Sequence, residues 1–131
     1  MGKRSDLKTA IIQILTDMNL FFEVYEEPND IEKIMSFPVA WVNLNSEIIR
    51  DGAISTTCYM REIGLEITIG TKHLTTDRNM DEMIDTVFDQ LKDEYTLNGT
   101  AINLTPIDVR TDQGYFHPFA IASLNFIVTT R

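Results

Sequence analysis

Ile63, Leu65, Ile67 and Ile69 occupy every second position of the chain, with Glu62, Gly64, Glu66 and Thr68 between them. That alternation gives an extended backbone one apolar face, the pattern of a half-buried antiparallel strand. Shortly afterwards the period changes. Met80, Met83, Ile84, Val87, Phe88, Leu91 and Tyr95 fall on one helical stripe. Asn79 is placed to cap that helix, Glu82 to close a capping box, and Asn98-Gly99 to stop it. A clean strand followed by a clean helix restricts the fold sharply.

The remaining elements fall in around these two. Leu7, Ile11, Ile14, Leu15 and Met18 predict an amphipathic helix from Asp6 to Asn19, capped by Ser5. Phe21 to Glu26 reads as a short strand, with Leu20, Phe22 and Val24 facing one way, broken by Pro28-Asn29-Asp30. Ile31 to Met35 reads as one loose helical turn. Pro38 opens a strand through Val39-Ala40-Trp41-Val42-Asn43-Leu44, and the pattern then dissolves from Asn45 to Ile54, with Asp51-Gly52 as a turn signal. The extended stretch Ser55 to Gly70 comes next. Ala101 to Arg110 and Phe116 to Thr130 are the closing strands, the last with Ala120, Ala122, Leu124, Phe126 and Val128 facing inward. Helices do not alternate regularly with strands, so the expected fold is α+β: a mostly antiparallel β-sheet with two main α-helices packed on one side, in a single domain spanning 1–131.

Charge excludes more than it suggests. Eleven Lys and Arg stand against 20 Asp and Glu, a net charge of −9. Stable binding to DNA or to an anionic membrane needs a basic patch, and no Lys/Arg run exists beyond Lys3-Arg4. No apolar run approaches a membrane span, and the charged start lacks the core of a signal peptide. Asp6 stands where a myristoylation signal wants Ser or Thr. Asn98-Gly99-Thr100 fits the glycosylation triplet but reads as a turn. One cysteine, Cys58, allows no intrachain disulfide and no cysteine-based zinc site, and it reads as a small hydrophobe in a strand. The expectation is a soluble protein that starts out in a reducing cytoplasm.

The search for chemistry returns little. The two histidines, His73 and His117, sit in no local signature of a nucleophilic triad. The six glycines never form a phosphate-binding loop, and no EF-hand spacing appears. Met residues and Trp41 read as core. Asp81, Asp85 and Asp89 recur every four residues along the second helix, where like charges repel by some tenths of a kcal/mol per pair. They form a candidate acidic surface, with a solvated helix face as the plain alternative. In the Asn45–Ile54 stretch, Ile48 and Ile49 sit between Glu47 and Arg50. Two adjacent aliphatics in such a loop either fold back on the core or meet a partner. Together with Tyr59 and Arg61 these are the candidate contact residues. No catalytic, cofactor or metal site is expected.

Order and length then become informative together. The opening helix L-x-x-A-I-I-x-I-L, the strand FPVAWVNL, the alternating GLEITIG, the acidic helix NMDEMIDTVFDQLKDEY and the close at FIVTTR follow in turn from Leu7 to Arg131. This layout resembles the tail terminator (tail completion, head–tail joining) proteins of long-tailed phages. The resemblance implies a subunit that closes into a six-membered ring on the tail tube, ends its polymerisation and presents a surface to the head connector. It implies three protein contacts: self, the tail-tube protein and the connector. It also implies a lumen that DNA traverses without stable binding, no membrane contact, and residence in the virion after assembly in the host cytoplasm. In such a ring Asp81, Asp85 and Asp89 would line the wall and repel phosphates. Another neck or tail-tube subunit, a small α+β binding module, and a hydrolase using His73 or His117 are the competing readings.

Overall fold

The computed structural model describes residues 3–28, 38–51, 59–72, 80–97, 99, 101–111 and 119–130. Expectations placed on Ile31–Met35, Cys58, His73, Asn79, Asn98 and His117 lie outside them.

Among the described residues seven elements run in the order α1 (Lys3–Asp17), β1 (Glu23–Tyr25), β2 (Val39–Asp51), β3 (Tyr59–Lys72), α2 (Met80–Asp93), β4 (Asn103–Thr111) and β5 (Phe119–Thr130). The five strands make one sheet in the order β1-β2-β3-β5-β4. Only the β1–β2 pair is parallel; β2–β3, β3–β5 and β4–β5 are antiparallel. The fold is α+β, with two helices and a mostly antiparallel sheet.

Register explains the core. Cross-strand partners share a face, so Ala40, Ile69 and Ala122 form one row, and Val42, Ile67, Leu124 and Val109 the next. Leu44, Leu65, Phe126 and Pro106 form a third. Both helices meet this face. α1 brings Leu7, Ala10, Ile11, Ile14 and Leu15, and α2 brings Met83, Ile84, Val87 and Leu91, all into one buried cluster with the strand residues. Each fully buried aliphatic there contributes about 1.5–3 kcal/mol. α1 lies against β1 and β2, and α2 against β5. On the sheet's other face Val39 and Trp41 are buried with Tyr25 packed beside them.

Several expected boundaries move. α1 begins at Lys3, so Ser5 lies inside its first turns instead of capping it. It ends before Asn19, whose φ of 55° places it in the left-handed region that an Asn tolerates after a helix. β1 is three residues long, and Phe22 precedes it, 67 % exposed instead of facing inward with Leu20. α2 stops at Asp93, which leaves Tyr95 48 % exposed beyond the buried stripe.

The largest correction concerns Asn45 to Ile54. Residues 45–51 are not a loop but the second half of β2. Leu44 pairs with Leu65 and Glu47 with Ile63, so Asn45 and Ser46 together oppose the single residue Gly64. This is a β-bulge, and the extra residue shifts the alternation by one. A strand with a phase slip looks patternless to a period-two test.

Candidate assembly surfaces

The bulge turns a carboxylate toward the helices. Glu47 falls in the row of Ile63, Val128 and Leu104, at the end of the core face. Two strand positions away, Arg61 meets it: Nε donates to Glu47 Oε2 at 2.7 Å and Nη2 to Oε1 at 2.8 Å. Arg4, from the first turn of α1, closes the cluster, with Nη1 donating to Glu47 Oε1 at 3.3 Å. Its Nη2 donates to the carbonyls of Leu44 and Asn45 at 2.9 Å each. One guanidinium thus satisfies backbone acceptors at the bulge, where ladder bonding is interrupted. Arg61's hydrogen bonds hold Glu47 below its ordinary value against the upward push of partial burial, and Arg4 adds to the lowering. The cluster ties α1 to β2 and β3.

The predicted contact residues therefore divide. Glu47 and Arg61 come together as an internal ion pair, partly buried on both sides. Ile48, Ile49 and Arg50 pair in β2 with Glu62, Arg61 and Met60, and Tyr59 pairs with Asp51. For these four the structure describes the backbone position alone, and that position is a strand.

Asp81, Asp85 and Asp89 are exposed along α2, opposite the buried stripe of Met83, Val87 and Leu91. Among the described residues no group of three or more His, Cys, Asp or Glu is placed to hold a metal ion. No described helix is long and apolar enough to cross a membrane.

Two surfaces emerge that the residue pattern did not single out. At one edge of the sheet, β4 and α2 enclose an open hollow of about 360 Å³. Phe88, Leu91 and Lys92 line it from the helix, Tyr95 from the turn after it, and Leu104, Pro106 and Phe126 from the strands. Two of the lining rings, Phe88 and Phe126, lie 5.2 Å apart and tilted by 49°. Next along β4, Ile107 is 54 % exposed, and Val109, although in a core-face row, is 38 % exposed at the sheet's edge. Ile107 is the extra residue of a second bulge, between Pro106 and Asp108. A Pro and a bulge both obstruct strand addition along that edge. Pro106 was the available signal, because a Pro inside a strand pattern marks an edge strand.

At the opposite edge stands Phe22, held by a hydrogen bond from its N–H to the carbonyl of Pro38 at 2.7 Å. No protein-family model and no curated protein matches the chain.

Proposed function

We propose that this chain is a structural subunit of a phage tail terminator: a ring, six-membered by its resemblance, that caps the tail tube. The capped tube stops growing, and the ring offers the surface to which the head connector attaches. The observation that carries this reading is the inequality of the two sheet edges. A three-residue β1 with a projecting Phe22 stands at one, and a nine-residue β4 beside an apolar hollow at the other. Unlike edges favour head-to-tail association, and head-to-tail contacts close into rings when the rotation fits.

The acidic row fits the same reading. Turned inward, Asp81, Asp85 and Asp89 from every copy repel phosphates and let DNA slide through without sticking. The protein's place is then the virion neck, with assembly in the host cytoplasm. Its partners are its own copies, the tail-tube protein and the connector.

Tube assembly tests this. Purified chain added to polymerising tube subunits halts elongation, and electron microscopy finds it only at tube ends. Tubes that lengthen unchanged, or that carry the chain along their sides, contradict the reading. The hollow favours one other reading, a small non-enzymatic α+β binding module, since apolar concavities take small ligands. That module leaves tube growth untouched.

A further inference from the structure

We infer that Phe22 of one copy seats in the hollow between α2 and β4 of the next, so that the chain associates knob-into-hole through opposite edges of its sheet. The inference rests on the ring reading and names the contact that builds the ring.

Phe22 is the most exposed of the large hydrophobic residues described, and its backbone is tied to Pro38. An aromatic ring held out on a fixed backbone loses little freedom when it docks, which suits an interface anchor. The hollow is apolar, with the rings of Phe88, Phe126 and Tyr95 among its lining. At 360 Å³ it exceeds the roughly 150 Å³ of a cavity that takes up benzene, so a phenyl ring and its neighbours fit.

Placement matters as much as size. Because the strand order is β1-β2-β3-β5-β4, the knob precedes one edge strand and the hole lies under the other. One copy cannot fill its own hole across the width of the sheet. Each copy offers one knob and one hole, which is a heterologous contact.

Local charge is mixed. Glu23 follows Phe22 directly and is exposed, and the neighbouring Tyr25 hydroxyl has its pKa raised by burial, then by a hydrogen bond and charge from Glu23. Among the described residues Lys92 is the one cation lining the hollow, and it forms no ion pair with any of them. Asp89 on the same wall and the −9 of each copy oppose association overall, so added salt strengthens it by screening.

Complementary variants test the contact. Phe22→Ala removes the knob and Tyr95→Glu spoils the hole; both positions are exposed, and circular dichroism checks that each variant folds. Light scattering up to about millimolar concentration should find the wild type associated and each variant weakened by on the order of 30-fold. A mixture of the two restores a single good contact, so it yields a species of twice the monomer mass that goes no further. Association of either variant like the wild type, a mixture that stays monomeric, or a wild type monomeric throughout overturns the inference. A closed ring indifferent to both variants upholds the ring and removes this contact. Open chains abolished by Phe22→Ala uphold the contact and remove the ring.

Discussion

Arg61 holds Glu47 through two parallel hydrogen bonds of 2.7 and 2.8 Å, reaching from β3 to the residue just past the bulge in β2. Arg4 grips the same carboxylate from α1 and the bulge carbonyls with its other nitrogen. The helix, the bulge and the central strand are thereby fixed to one another at one end of the core face.

The pair makes stability depend on acid in a defined direction. Glu47's pKa is lowered in the folded chain, by Arg61 first, so the unfolded chain takes up the proton more readily. The stabilisation is complete above the unfolded value of 4.5 and is lost as pH falls through the folded one. Urea midpoints from pH ~6 to ~3 should therefore fall more steeply for the wild type than for Glu47→Gln. Parallel curves contradict this account of the cluster.

Phe126 lies in the core face of β5 and lines the hollow against Phe88. Phe126→Ala should cost about 3–5 kcal/mol in denaturant unfolding, as the cavity it leaves joins the open hollow. Phe126→Leu should cost less than half as much, since most of the buried volume remains. Equal costs would show that the ring contact with Phe88, and not the buried volume, carries the stability.

How far the residues alone reveal this fold depends on phase. The α1 stripe from Leu7 to Leu15, the α2 stripe from Met83 to Leu91 and the β3 alternation from Ile63 to Ile69 are uninterrupted, and their apolar positions are the ones buried. β2 beyond Leu44 was illegible because Asn45 and Ser46 share one partner, which slips the alternation. The Arg4–Glu47 contact spans 43 residues, and no local pattern announces a pair so distant. The hollow depended on which strand ends the sheet, and only Pro106 hinted at that. Phe22 looked like a core residue because it sits between Phe21 and Val24, which do pack inward.

Left-handed backbone ends the turn after α2. Gly99 has a φ of 84° with open space around the position of a Cβ, so Gly99→Ala meets no clash but strains the backbone. It should destabilise by about 1–2 kcal/mol. Leu97 has a φ of 50° and is fully buried, so Leu97→Gly relieves strain and loses burial together. Burial is the larger effect, about 1.5–3 kcal/mol, and the variant should be net less stable. A stabilised Leu97→Gly would reverse that ranking.

Reversing charge on the exposed acidic row separates folding from passage of DNA. Asp85→Lys should leave thermal unfolding unchanged or slightly raised, because its repulsion with Asp81 and Asp89, worth some tenths of a kcal/mol per pair, is relieved. The same variant in a virion should retard DNA ejection and retain DNA on filters. Ejection and retention like the wild type would place the row away from the lumen.

A closed ring at the end of a tube has one definite mass. Tubes halted by the chain, cross-linked and stripped of tube subunits, should release one discrete species of about six times 15.0 kDa. Single copies, or a ladder of masses with no preferred end point, would contradict the ring.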